Sequence, residues 1–189
     1  MTPHGSLKPS TFSLPTLTLV IGGARSGKSR IAERLVTASG RPRLYIATAQ
    51  AFDTEMRDRI IHHRRDRGPD WTTIEAPLNI AEALASCPPA CTILLDCATL
   101  WLSNVLLAGL DVEESCHDLV DTLCKSPATI VIVSNEVGWS IVPENALARQ
   151  FRDAQGRLNQ MIAARAGLVL GVMAGLPLPL KGTLPEGVL

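Results

Sequence analysis

The run Gly22-Gly23-Ala24-Arg25-Ser26-Gly27-Lys28-Ser29 meets the pattern G-x-x-x-x-G-K-[ST] at every fixed position. Its chemistry is phosphate binding. The glycines permit a backbone that turns successive N–H groups inward around an anion, and the helix that follows adds its own unpaired N–H groups. Lys28 has the reach and charge to bridge the β- and γ-phosphates, and the Ser29 hydroxyl is a ligand type for Mg²⁺. A second metal-binding acid belongs at the end of another buried strand. Asp96, closing the apolar run Thr92–Leu95, fits that place, and it also fits an N-cap for the residues after it. These residues alone suit a kinase, an ATPase or a nucleotide-dependent switch.

The segment Thr54–Arg67 (TEMRDRIIHHRRDR) carries the other candidate chemistry. At about 100° per residue, Met56, Arg59, Ile60, His63 and Arg67 share one side of a helix, while His62 turns toward Asp58 and Asp66. Arg64, Arg65 and Arg67 would hold an anionic group and keep a neighbouring imidazole neutral, the form whose nitrogen attacks phosphorus. The competing reading is a solvated basic helix with incidental histidines.

These groups must be held by a frame. Leu17–Ile21 reads as a buried strand entering the loop, and Lys28–Ala38 as the amphipathic helix leaving it, with Gly40 just past its end. Further strands are expected at Leu44–Ala47, Trp71–Ala76, Thr92–Leu95, Thr129–Val133 and Leu168–Met173. Helices are expected from Asp53 or Thr54 to about Asp66, at Leu78–Ser86, Ala98–Ala108 and Val112–Cys124, and from a first turn holding Pro143 to about Arg165. In the last of these, Leu147, Phe151, Ala154, Leu158 and Ile162 form one stripe. The proline- and glycine-bearing tail from Gly175 is expected to be irregular. Strand and helix alternate with short links, which predicts an α/β chain of the three-layer P-loop NTPase type, RecA-like, with a mainly parallel sheet.

A length of 189 residues suits one such domain, placed at 15–182 between a flexible leader (1–14) and a short tail (183–189). Eighteen basic and eighteen acidic residues balance, which disfavours a bulk binder of nucleic acid. No apolar run is long enough to span a membrane, and the start lacks the order of a secretory signal. Five cysteines without a C-x-x-C pair read as reduced thiols, which suits the cytoplasm.

The chain resembles the bifunctional adenosylcobinamide kinase / adenosylcobinamide-phosphate guanylyltransferases of cobalamin synthesis. The resemblance runs from about Leu17 to Lys181. It is carried by GGARSGKS (22–29), LYIATAQ (44–50), EMRDRIIHHRRDR (55–67), LLDC (94–97), SNEVGWSIVPEN (134–145) and LARQFRDAQGRLNQ (147–160). It implies transfer of a γ-phosphate from ATP or GTP to adenosylcobinamide, then transfer of GMP from GTP through a GMP–histidine. It points to the second histidine of the pair, His63, as that nucleophile. It further implies nucleotide contacts from Ala47, Thr48, Ala49, Arg64, Arg65, Asp66, Arg67 and Glu75, Mg²⁺ held with help from Asp96, and a homotrimer. The family pattern has glycine where this chain has Ser140, beside Trp139. A kinase without guanylyl transfer and a nucleotide-dependent switch are the alternatives. Arg149, Arg152 and Asp153 are read as a corrinoid-facing or subunit surface, or as a plain solvated helix face.

Overall fold

The structure is a computed structural model that describes residues 13–50 and 67–184. Short apolar runs rich in β-branched residues give β1 (Leu17–Gly22), β2 (Arg43–Ala47), β3 (Trp71–Glu75), β4 (Thr92–Asp96), β5 (Thr129–Asn135) and β6 (Leu168–Met173). A seventh strand is β7 (Leu176–Lys181). They form one sheet in the order β3-β2-β4-β5-β1-β6-β7. The first six are mutually parallel, and β7 returns antiparallel to β6. Strands covered on both faces need no polar alternation, and β5 is buried from Thr129 to Ser134.

The described helices are α1 (Lys28–Ala38), α2 (Ile80–Ala85), α3 (Ala98–Leu107), α4 (Val112–Lys125) and α5 (Ala146–Arg165). Helix α1 covers one face. Its Ile31, Ala32, Leu35 and Val36 pack on Val20, Leu94, Val131, Val133 and Leu170. Packing on this face begins at Leu14. The other helices share the opposite face, where Trp101, Leu102, Leu119, Leu158 and Ile162 meet Leu19, Ile93, Ile130 and Ile132. Local signals agree with this arrangement in α4: Asp111 accepts from the Glu114 N–H at 2.9 Å, acids fill the first turn and Lys125 the last.

Four expectations are corrected. The tail from Gly175 is not irregular, because Leu176–Lys181 pairs with β6. The turn between them is Ala174-Gly175, with φ of 52° and 81°. Two positive φ values in a two-residue hairpin are the type I′ geometry, whose twist matches the strands. Pro143 precedes α5 rather than lying in its first turn. Asn145 caps that helix, its side-chain oxygen accepting from Leu147 N and Ala148 N at 2.8 and 3.2 Å. Leu147 is exposed, so the buried stripe of α5 starts lower, at Phe151 and Ala154. Leu78 stays outside α2, its carbonyl taken by the Trp101 indole N–H at 3.1 Å. The helix expected from Asp53 or Thr54 to about Asp66 lies outside the described residues.

Candidate functional site

All six parallel strands end at one edge, and there lie the loop 22–29, Asp96, Ala47 and Glu75 from among the sequence-predicted groups. The loop 22–29 follows β1, Asp96 ends β4, Ala47 ends β2 and Glu75 ends β3. In open α/β sheets the crevice outside these carboxyl ends is where ligands bind. The strand order sets the spacing. One strand, β5, lies between β1 and β4, so the loop and Asp96 stand about 10 Å apart across the edge. Glu75 is three strands further from β1 than β5 is, about 19 Å from the loop strand. Glu75 and the loop are therefore too far apart to contact the same phosphate group.

The loop is tight. A Cβ on Gly22 would come within 2.5 Å of the Val172 carbonyl oxygen and 2.6 Å of the Ser26 hydroxyl, so only glycine fits. Gly27 has φ of 93° and lies against Gly175, whose N–H donates to the Ser26 carbonyl at 2.8 Å. The β6–β7 turn thus braces the loop from outside. Arg25, at φ 56°, holds a left-handed conformation that side chains disfavour. The Ser26 hydroxyl is buried with no hydrogen-bond partner among the described residues. An orphaned donor in a glycine-rich loop at the N-terminus of α1 suits an anion. The Lys28 ammonium crosses the loop mouth and donates to the Gly23 carbonyl at 3.0 Å.

Asp96 is not the helix cap. Cys97 takes the N-cap position of α3, its sulfur accepting from Leu100 N at 3.4 Å, and the Asp96 carboxylate instead lies near the Tyr45 phenol. Burial, then the charge of Asp96, push the Cys97 thiol up to about 12, so it stays protonated. Thr48 fixes this junction. Its hydroxyl donates to the Cys97 carbonyl and accepts from the Cys97 N–H, each at 2.8 Å. Asn104 holds the Thr48 carbonyl at 2.9 Å. The Thr48 side chain therefore works inside the protein, positioning Asp96.

Sequence reasoning passed over Tyr45, the sole tyrosine. Its ring carries the Arg67 guanidinium at 3.2 Å from the centroid and meets Trp71 edge-on at 6.5 Å. Burial raises the phenol well above its ordinary value; Asp96 raises it further and Arg67 opposes. One Arg67 nitrogen, Nη1, is buried without a hydrogen-bond partner among the described residues. Trp71, preceding Glu75, is thus packing. His63, Arg64, Arg65 and Asp66 lie outside the described residues. Arg149 donates to the Pro143 carbonyl at 2.9 Å, and Arg152 pairs with Asp153 at 3.1 Å. A separate groove of about 970 Å³ lies between α4 and α5, lined by none of the predicted site residues.

Residues 18–180 match the cobinamide kinase / cobinamide phosphate guanyltransferase family. The chain belongs to that family. Its activities are those of the family, a kinase and a guanyltransferase in one polypeptide. It is 49% identical over 169 residues to the bifunctional adenosylcobalamin biosynthesis protein CobP of Pseudomonas aeruginosa, covering 87% of this chain and 96% of that one. It is 41% identical over 181 residues to the bifunctional adenosylcobalamin biosynthesis protein CobU of Escherichia coli, covering 87% and 99%. A solved Pyrococcus horikoshii protein shares the fold at 11% identity, with a TM-score of 0.50 over 93% of this chain and 91% of that one. Family membership agrees with the geometry, since a phosphate loop faces an acid-bearing strand end across one intervening strand.

Proposed function

We propose that this chain phosphorylates the hydroxyl of the aminopropanol arm of adenosylcobinamide with ATP or GTP, then transfers GMP from GTP to the new phosphate through a phosphoramidate on His63. In the second reaction a His63 nitrogen attacks the α-phosphorus, the bond to the bridging oxygen breaks, and pyrophosphate leaves with the electron pair. The corrinoid phosphate then attacks the same phosphorus, the phosphorus–nitrogen bond breaks, and the neutral imidazole leaves with that electron pair. Splitting the transfer in two is what covalent catalysis accomplishes.

The observation that carries this reading is Arg67 fixed on Tyr45, beside Asp96. His63 precedes Arg67 by four residues. Even fully extended, that chain spans about 14 Å. Arg67 itself stands at the β2–β4 part of the edge, so this chain length supports a nucleophile that can reach a nucleotide bound there. Ala47 to Ala49 and Glu75 border the same stretch, which suits them to the guanosine of the transferred GMP, and the basic run Arg64, Arg65 and Arg67 with Asp66 is assigned to the same nucleotide. Lys28 and the loop N–H groups bind the phosphates.

Ser29 and Asp96 supply oxygen donors on the α1 side of the edge, the donor type a hard divalent cation takes. Mg²⁺ held there would neutralise triphosphate charge. We also assign a homotrimer and a cytoplasmic setting. Exposed Trp139 (82%), Ile141 (93%), Leu176, Leu178 and Leu180 support a subunit contact. Pro177 and Pro179 leave β7 without N–H groups at alternate positions, so that contact joins side chains rather than extending the sheet. No described helix is long and apolar enough to cross a membrane.

Incubation with α-³²P-labelled GTP and Mg²⁺ tests the proposal. An acid-labile, base-stable protein label is expected, lost in His63→Ala and kept in His62→Ala. An unlabelled wild type, or a label that survives in both variants, would count against it.

A further inference from the structure

A buried polar network in this fold serves one residue to which no role has been given, Asn135. Ser134 donates to the Asn159 side-chain oxygen at 2.6 Å, and Gln155 donates to Ser134 and Asn159 at 2.9 and 3.0 Å. Asn159 then donates to the Asn135 carbonyl at 3.1 Å. From α3, the Thr99 hydroxyl accepts the Asn135 N–H at 2.8 Å. Both backbone groups of Asn135 are thus held by side chains from separate helices. The next residue, Glu136, donates its N–H to the Gly22 carbonyl at 3.0 Å, which ties this strand end to the phosphate loop.

The side chain of Asn135 has a defined place. Along β5, Ile130 and Ile132 face α5, and Val131 and Val133 face α1. Ser134 faces α5, as its bonds show, so Asn135 falls on the α1 side. Gly22 lies directly beside it in register, on the same side, with Ser26 folded over it. Asp96 pairs with Val133, two residues back on that side. Asn135 is therefore about 5 Å from the loop strand and about 8 Å diagonally from Asp96. Its amide makes no hydrogen bond among the described residues.

We propose that the Asn135 side-chain NH₂ donates a hydrogen bond to the terminal phosphate of the triphosphate seated in the loop. This rests on the kinase reading above and deepens it. A neutral donor placed between the loop and the acid discriminates a triphosphate from a diphosphate without adding fixed charge. Phosphoryl transfer breaks a bond at the γ-phosphorus, where this contact lies. GMP transfer breaks one at the α-phosphorus. The contact therefore acts more strongly on the first reaction. Thr99 is a positioning residue, acting through the Asn135 backbone.

The test compares both reactions in the full-length protein. Asn135→Ala should lower kcat for phosphorylation of adenosylcobinamide by about 10- to 100-fold, with KM for the nucleotide within about threefold, as for a lost charge-assisted bond. GMP labelling should stay within about fivefold. Asn135→Asp keeps the shape but sets an acceptor against the phosphate, so it should be slower than Asn135→Ala. A packing role would give the reverse order. Thr99→Val should show the same selective defect in milder form, and it serves if the Asn135 variants fail to fold. By thermal shift, the preference for GTP over GDP should shrink in Asn135→Ala. Equal loss of both reactions, an Asp variant milder than Ala, or an unchanged GTP preference would overturn the inference. A wild type that shows neither GMP labelling nor kinase turnover would instead sink the two-reaction reading.

Discussion

The Thr48 hydroxyl closes a two-bond ring with the backbone of Cys97, donating to its carbonyl and accepting from its N–H at 2.8 Å each. Thr48 follows β2, and Cys97 links β4 to α3. One side chain therefore sets where the Asp96 carboxylate emerges. Thr48→Val keeps the shape and strands a buried N–H and C=O. Stability should fall by about 1–3 kcal/mol in urea unfolding. Mg²⁺-dependent activity should fall beyond what the unfolded fraction accounts for.

Under the proposed function, substitutions at Lys28 and at His63 should affect the two reactions differently. Lys28→Ala should slow both phosphoryl and guanylyl transfer by about 100-fold or more, because each needs a seated triphosphate. His63→Ala should abolish GMP transfer and leave most kinase turnover. Parallel assays decide this, and guanylylation intact in Lys28→Ala would require a second triphosphate site.

Cys97 gives a pH signature. Its thiol is held up to about 12, chiefly by burial, against an ordinary value near 9.0. The native state keeps this proton where the unfolded chain has lost it. Its stabilisation is complete below about pH 9 and declines as pH rises toward 12, by about 1.4 kcal/mol per pH unit in that window. Cys97→Ser retains a capping oxygen without a titrating thiol. Its stability should decline less steeply than wild type between pH 9 and 11, and parallel curves would remove Cys97 as the cause.

The hairpin turn behind the loop holds a correctable strain. Ala174 sits at φ 52°, a region that costs alanine about 1 kcal/mol. Ala174→Asn should raise the melting temperature by a few degrees, since asparagine tolerates this conformation. A melting temperature lower than wild type would contradict the turn assignment.

Gly27 is constrained twice, by φ of 93° and by the Gly175 Cα 3.2 Å from where a Cβ would stand. Gly27→Ala should weaken GTP binding at least tenfold in titration while most of the fold persists, because the distortion is confined to the loop and its brace.

The sequence by itself marked the glycine-rich loop between a strand and a helix, the parallel α/β frame and Asp96 at a strand end. Each rests on local pattern: a motif of fixed spacing, apolar runs of strand length, one stripe per helix. It did not reveal β7, because an alternating Leu–Pro stretch carries no strand signal until β6 offers it an edge and Ala174-Gly175 turns the chain back. It placed Pro143, not Asn145, at the start of α5, where a side-chain oxygen proved the better partner for free N–H groups. It did not show that the Thr48 hydroxyl bonds the Cys97 backbone, or that Thr99 and Asn159 hold the backbone of Asn135. Only tertiary structure could show these bonds, since a hydroxyl's or amide's work depends on which distant backbone lies within about 3 Å of it. The pairings that decide this join residues 36 and 49 positions apart.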